Sequence, residues 1–364
     1  VLSPEHEISK LAMPAIAASH IQSFASHTMS QIDAWVAPRV KQPLVRQQIE
    51  LGPLDGDDVE IEVEHCGLCH SDLSVRDNEW GISRYPAVLG HEVIGRITDV
   101  GSTAKGLKVG QRVGVGWNSG SCMHCRQCKS GRQNLCAKAQ PTIVGHRGGF
   151  ASRVRSHWAW ALPIPEALDF KEAGPLLCGG ITVFNPLAMY ATPTSRVGIV
   201  GIGGLGHMAV KFAAAFGCDV TAFTSSESKF DEARSFGAHH VVSSRDSAAI
   251  KKLGRAFDLL ISTVNVPVDW DALIGALAPT GRLHVVGAVL EPIPVKAFSI
   301  IMGQNSISGS PTGSPVSMET MLEFAARHKL TPQTEHFPMS RINDAFERLK
   351  SGQARYRIVL DADF

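Results

Sequence analysis

The stretch Ser195–Thr224 reads SRVGIVGIGGLGHMAVKFAAAFGCDVTAFT. It predicts a buried strand (RVGIV), a tight glycine turn, a helix (HMAVKFAAAFG) and a second strand (CDVTAF). Gly201, Gly203 and Gly206 form G-x-G-x-x-G, with Gly204 and Leu205 inside it. Alone this pattern is weak. Between a strand and a helix it is the setting in which backbone N–H groups at a helix start hold a dinucleotide pyrophosphate. NAD binding usually places an acidic residue at the end of the next strand for the ribose hydroxyls. Here that strand runs into TSSESK. Thr224, Ser225, Ser226 and Lys229 offer hydroxyls and an ammonium, which suit a 2′-phosphate, so the reading is NADP(H). Ser226 also reads as a cap for ESKFDEAR, and both roles are compatible.

Outward from this stretch, HHVVSS (239–244), FDLLISTV (257–264) and GRLHVVGAV (281–289) read as further buried strands, separated by helical segments such as ESKFDEARSFGA. Strands alternating with helices predict a parallel α/β sheet, assigned to residues 180–311. Upstream, from Ile32 to about Ala173, the chain reads mostly as short strands. DVEIEVEHCG alternates in period two, and VIGRITDVG and GQRVGVGW are apolar runs closed by glycine. The tail, SMETMLEFAARHKL then INDAFERLKSGQARYRIVLD, reads helix, helix, strand, and is assigned back to the β-rich domain. That domain comprises 29–179 and 312–364.

A chain of 364 residues favours two domains, and 44% hydrophobic with 19% charged residues describes a soluble globular protein. A net charge of +1 gives no reason to expect nucleic acid or an acidic membrane as partner. No apolar run approaches the ~20 residues of a bilayer span. Residues 1–28 fit neither a secretory signal nor a transit peptide, so they read as an extension or a cloning remnant. The cytoplasm is the expected compartment, and clustered cysteines there more often bind metal than form disulfides.

SCMHCRQCKSGRQNLC (121–136) carries four of the eight cysteines. Cys122, Cys125 and Cys128 are spaced C-x₂-C-x₂-C, with Cys136 seven residues on. Four thiolates can close a tetrahedral Zn²⁺ site at about 2.3 Å each, with no open position and hence a structural role. Lys129 and Arg132 offset its charge. An iron–sulfur cluster is a rival, as is a nucleic-acid zinc ribbon, which the near-neutral chain disfavours. A catalytic zinc instead needs three ligands and an exchangeable position. CGLCHSD (66–72), GHE (90–92) and PLLCGG (175–180) supply Cys69, His91 and Cys178, although spacing alone would not unite them.

Together, GHEVIGRITDVGSTA with Gly95 and Gly101, the four-cysteine loop, CGLCHSD, GPLLCGG and GIGGLGHMAVKFA resemble the zinc-dependent medium-chain alcohol dehydrogenases. The resemblance runs from about Ile32 to the C-terminus. It is closest to the cinnamyl alcohol dehydrogenase branch and its bacterial broad-range NADP-dependent aldehyde reductases. It implies an α/β protein with a GroES-like β-rich catalytic domain and a doubly wound Rossmann sheet. It implies Cys69, His91 and Cys178 as ligands of a catalytic zinc and the four-cysteine loop as a structural zinc lobe, two Zn²⁺ per chain. It implies Glu92 as a carboxylate near the metal, Asp72 as the partner orienting His91, and Ser71 as the hydroxyl passing the proton to the substrate oxygen. Cys66, which makes a tempting C-x₂-C with Cys69, reads as core. Thr182, Thr263, Val286, Gly287 and Ser310 join the glycine turn as cofactor contacts. In close relatives a histidine ends the proton relay where this chain has Ser74, and His70 need not replace it. The implied reaction is reversible hydride transfer between NADPH and small aldehydes. Trp80 and Trp117 are the expected substrate walls, suggesting aromatic or medium-chain substrates. A dimer is the expected assembly. The alternatives are an NAD- or polyol-specific dehydrogenase of the same fold, and a non-catalytic zinc- and NADP-binding sensor. An intact set of Cys69, Ser71, His91, Glu92 and Cys178 argues against the sensor.

Overall fold

The computed structural model describes residues 31–364; the expected N-terminal extension lies outside the described residues. The glycine-turn stretch folds as read: strand Arg196–Val200, helix Gly206–Ala215 and strand Asp219–Thr224. Six parallel strands form its sheet, in the spatial order His240–Ser243, Asp219–Thr224, Arg196–Val200, Phe257–Ser262, Leu277–Val285 and Ser306–Gly309. Numbered along the chain this is 3-2-1-4-5-6, the doubly wound dinucleotide-binding order, whose crevice opens where the order reverses, beside Arg196–Val200. The inner strands RVGIV and FDLLIS are buried almost throughout, as expected of a parallel sheet covered on both faces. The sixth strand, SISG, escaped the sequence reading because it is a polar, half-buried edge.

The second unit is a seven-stranded sheet built around Asp58–Leu68, which pairs antiparallel with Glu92–Val100 on one side and with Arg357–Asp361 on the other. The C-terminal strand therefore lies in the sheet of the N-terminal region, and Thr334–Pro338 extends it in parallel. This pairing brings Arg357 to the same end of the sheet as Glu92. Helix Gly179–Tyr190 leaves the β-rich unit and packs on the glycine-turn helix Gly206–Ala215, where Phe184 meets Phe212 edge to face at 5.4 Å. One apolar core runs continuously from Ile94, Leu162 and Leu177 through Ile181 and Phe184 to Val197, Ile199 and Phe212. The two sheets are thus joined by buried side chains, with a cleft between them.

Candidate active site

That cleft encloses about 1140 Å³ and runs from Cys69, Trp80 and Trp117 at one end to Ser225, Ser226 and Arg245 at the other. At the inner end, Cys69 is the N-cap residue of helix His70–Arg76. His91 and Glu92 lie where the chain enters strand Glu92–Val100, and Cys178 ends a 3-10 turn just before helix Gly179–Tyr190. One ligand atom from each of Cys69, His91, Glu92 and Cys178 falls within 4.8 Å of the others, all buried. Cys69 Sγ is 3.9 Å from Cys178 Sγ, and His91 Nε2 is 3.2 Å from Cys178 Sγ. Two sulfurs on a tetrahedral ion with 2.3 Å bonds stand about 3.8 Å apart, so Cys69, His91 and Cys178 fit three ligands of a tetrahedral metal, with Glu92 beside them.

Asp72 holds this arrangement. Its Oδ2 accepts the Cys69 N–H at 2.9 Å, and its Oδ1 accepts the Gly90 N–H at 2.9 Å and faces His91 Nδ1 at 3.1 Å. A fully buried carboxylate so satisfied fixes the His91 tautomer, leaving Nε2 to face the sulfurs. Cys178 hydrogen-bonds Cys69 and holds the Cys69 thiol well below its usual range against the opposing effect of burial, with Arg357 and His91 assisting. Burial acts against the protonated form of His91, yet Asp72 and Cys69 raise it above the usual histidine range. Burial pushes Glu92 up to about 7 although Arg357 opposes it. Glu92 Oε1 pairs with Arg357, while Glu92 Oε2 is buried without a partner, an orphan acceptor beside the donor cluster. Cys66 stays outside: it is fully buried among Val63, Leu68 and Phe150, and burial raises its thiol well above the usual range.

Ser71 Oγ lies 3.7 Å from Cys69 Sγ on the cleft wall. Trp80 and Trp117 stack edge to face at 6.0 Å, and the Trp117 ring is 5.1 Å from that of His91, so both indoles border the space above the cluster. Ser74 is buried and donates to Glu79 Oε2 at 2.7 Å.

Toward the outer end, Gly201 has φ +92°, and a Cβ on Gly206 would strike the Gly201 carbonyl; only glycine lets the turn close this tightly. Gly201, Gly203, Gly204, Leu205, Thr182, Thr224, Thr263, Val286 and Gly287 line the cleft with Ser225, Ser226 and Lys229. Thr263 Oγ1 donates to the Gly201 carbonyl at 2.8 Å, bracing the turn. Ser226 is the N-cap residue of a short 3-10 turn, Glu227–Lys229, but its side chain makes no cap hydrogen bond. Lys229 Nζ donates to the Ile202 carbonyl at 2.9 Å, across the glycine turn. Ser310 is not on the wall: its hydroxyl bonds His284 Nε2 at 2.9 Å, and Pro311 and Thr312 line the cleft in its place. Sequence reasoning missed Arg245, Glu79 and Arg357. Arg357 comes from the last strand and reaches Gly204, where a Cβ would sit 3.1 Å from Nη1. A guanidinium at a glycine turn and helix start fits a pyrophosphate.

In the loop, Cys122, Cys125, Cys128 and Cys136 also gather within 4.8 Å, with sulfur separations of 3.5 Å (122–136), 3.8 Å (125–136) and 3.9 Å (122–128). These again match the edges of a tetrahedral thiolate site. The Cys128 and Lys138 N–H groups donate to Cys125 and Cys136 Sγ at 3.5 and 3.3 Å. Lys129 and Arg132 are exposed.

Comparison with known proteins agrees with this geometry. Residues 55–166 match the alcohol dehydrogenase GroES-like domain, and residues 204–327 match the zinc-binding dehydrogenase domain. The chain is 49% identical over 330 residues to aldehyde reductase AdhA of Synechocystis sp., covering 90% of this chain and 98% of that protein. A cinnamyl alcohol dehydrogenase from Sorghum bicolor superposes with TM-score 0.88 at 38% identity, over 91% of this chain and 98% of that one. The cinnamyl alcohol dehydrogenase of Helicobacter pylori, solved with NADP(H), superposes with TM-score 0.85 at 28% identity, over 92% and 99%. The activity is oxidoreduction of the alcohol dehydrogenase and aldehyde reductase class. The chain belongs to the zinc-dependent medium-chain alcohol dehydrogenase family, in its cinnamyl alcohol dehydrogenase-like branch.

Proposed function

We infer that the protein is an NADP(H)-dependent aldehyde reductase and alcohol dehydrogenase acting on aromatic or medium-chain aldehydes, with two zinc ions per chain. The observation that carries the cofactor is the outer end of the cleft. Ser225, Ser226, Lys229 and Arg245 border it, and no carboxylate follows strand Asp219–Thr224 before Glu227. Hydroxyls and two cations suit a 2′-phosphate better than the paired hydroxyls of NAD. The Helicobacter pylori structure holds NADP(H), which supports the same reading.

Bound zinc would act as a Lewis acid on the substrate oxygen, and the nicotinamide would exchange hydride with the carbonyl carbon. Cys69, His91 and Cys178 would hold the catalytic ion, Glu92 standing by with its free oxygen, and the four-cysteine loop the structural one. Trp80 and Trp117 would press the substrate chain or ring toward that centre and exclude water. Ser71 would give its proton to the oxygen in reduction and take it back in oxidation. Asp72 would keep His91 oriented, and Arg357 would meet the pyrophosphate. Residues 29–179 with 312–364 would form the catalytic unit and 180–311 the cofactor unit.

Among the described residues no helix is long and apolar enough to cross a membrane, consistent with work in the cytoplasm. Phe298, Ile301 and Met302 are exposed at 76%, 61% and 72% near the outer strand Ser306–Gly309, which supports a homodimer through that edge.

The test is kcat/KM with NADPH and NADH on one aromatic aldehyde. The wild type should prefer NADPH. Ser225→Asp with Lys229→Ala should shrink or invert the preference through cofactor KM, since one charge-assisted bond contributes roughly 1.5–3 kcal/mol, about ten- to hundredfold. Equal use of NADH would instead assign the NAD-dependent form of this fold.

A further inference from the structure

Resting on that reading, each aldehyde reduced takes up one proton, and each alcohol oxidised releases one. The side chains around the centre that needs this proton are buried, Cys69, His91 and Cys178 being 3%, 0% and 8% exposed, and the centre meets the cleft only past Cys69 and Cys178. With cofactor and substrate filling the cleft, the proton would cross its wall. Three polar side chains are set along helix His70–Arg76 and the turn after it: Ser71, Ser74 and Glu79. Ser71 and Ser74, three residues apart, are neighbours on one helix face. Ser74 is 2% exposed, yet its hydroxyl donates to Glu79 Oε2 at 2.7 Å, and Glu79 is exposed to solvent. The Glu79 N–H also donates to the Ser74 carbonyl at 2.9 Å. A buried hydroxyl thus holds a solvent-facing carboxylate, and a backbone hydrogen bond between the same two residues fixes the turn that presents it, an arrangement a surface glutamate does not need.

We propose that Ser74 and Glu79 are the solvent end of the proton path, and that Glu79 exchanges protons with bulk water. In reduction the O–H bond of protonated Glu79 breaks and its proton passes to Ser74 Oγ. Ser74 gives its own proton to one water bridging to Ser71, and that water reprotonates Ser71 as Ser71 protonates the substrate oxygen. The carbonyl carbon takes hydride from NADPH, so substrate gains one hydride and one proton, and Glu79 is left as carboxylate to be reprotonated from solvent. Oxidation runs the same steps backward. Ser74 positions the carboxylate and relays; Ser71 is the group that touches the reacting oxygen.

The test is single-turnover aldehyde reduction by the zinc-loaded protein with NADPH, following proton uptake with a pH-indicator dye. Glu79→Gln keeps an acceptor for Ser74 but cannot carry the proton. It should slow proton uptake about 10- to 100-fold, at or below the lower end of what a positioned acid or base contributes. Ser74→Ala should slow it similarly. Glu79→Asp should recover part of the rate, and formate should restore Glu79→Ala, which a packing role would not allow. NADPH affinity by fluorescence and zinc content should be unchanged. Wild-type uptake in both Glu79→Gln and Ser74→Ala would overturn the proposal. So would slowing confined to His70→Gln, since His70 is exposed on the same wall. If the wild type reduces no aldehyde with either cofactor, the functional reading falls and the path with it.

Discussion

Cys122 and Cys136 are 14 positions apart in the chain, whereas Cys69 and Cys178 are 109 apart, yet each pair belongs to a cluster of donor atoms of nearly the same size. The first cluster is held by its own loop: neighbouring backbone N–H groups point at Cys125 and Cys136, and a four-residue helix, Arg126–Lys129, sets the turn. The second is held by the fold. Asp72 bonds Cys69, Gly90 and His91 at once, and Cys178 arrives with the segment that connects the two sheets. A loop can close a four-thiol site with no position to spare, which suits anchoring. A site assembled from three segments can leave one position facing a cleft, which suits chemistry.

The contrast breaks or holds first on the cysteines themselves. Cys178→Ser should abolish turnover while the protein stays folded, and Cys125→Ser should instead lower the melting temperature. Metal analysis should give two zinc per chain in the wild type and close to one in each variant. A mild chelator should empty the Cys69–His91–Cys178 centre sooner than the four-thiol one. One zinc per chain in the wild type, or turnover surviving in Cys178→Ser, would leave a single centre and no comparison to make.

A smaller loss is expected from Ser71→Ala, which should cost roughly 10²–10⁴-fold in aldehyde reduction, the span of a positioned proton donor. Wild-type rates with proton transfer contributing to the rate would remove Ser71 from the centre. Asp72→Asn sharpens the contrast from the other direction. It weakens the acceptor that three N–H groups share, and such outer partners contribute about 10–100-fold to metal affinity or activity. Zinc release from the open centre should quicken, with the four-thiol site unaffected. Loss of zinc from both sites would show that the two are not held independently.

The same division explains what could be read from the chain. The glycine turn and its flanking strand and helix are local, so Ser195–Thr224 spelled out the parallel sheet. The four-cysteine loop was legible for the same reason. The open centre was not legible from spacing; Cys69, His91 and Cys178 came together only through resemblance to a family. Arg357 was invisible because it meets Glu92 across 265 positions, through a C-terminal strand that returns to the first sheet. Glu79 carries no signal in the chain, because only the folded turn brings its carboxylate to the buried Ser74. Arg245 follows strand His240–Ser243, and that this strand's end borders the cleft is visible only once the strand order is known.

The smallest effect expected concerns a contact that only the fold-assembled half needs. His207, fully buried in the glycine-turn helix, has Nδ1 at 3.1 Å from the Gly203 carbonyl and accepts the Gln333 N–H on Nε2 at 3.1 Å. Because Nε2 accepts, the ring is neutral, with its proton on Nδ1. It links the glycine turn to Gln333, just before strand Thr334–Pro338 and 126 positions away. Burial lowers its pKa from 6.5 to about 3. The folded value lies below the unfolded one, so between these pH values the unfolded chain binds more protons and stability falls as pH falls. Above pH 6.5 the penalty vanishes. Going from pH 7 to 5 spans about 1.5 units below the unfolded value, a cost of about 2 kcal/mol at 1.36 kcal/mol per unit. His207→Gln keeps a donor and an acceptor but does not titrate. Urea unfolding at pH 7 and pH 5 should show the wild type losing about 2 kcal/mol more than His207→Gln. Zinc release in acid is common to both proteins and cancels in that difference. Equal losses would mean the ring is not held neutral across the glycine turn, and that the two halves of the chain are tied together by something else.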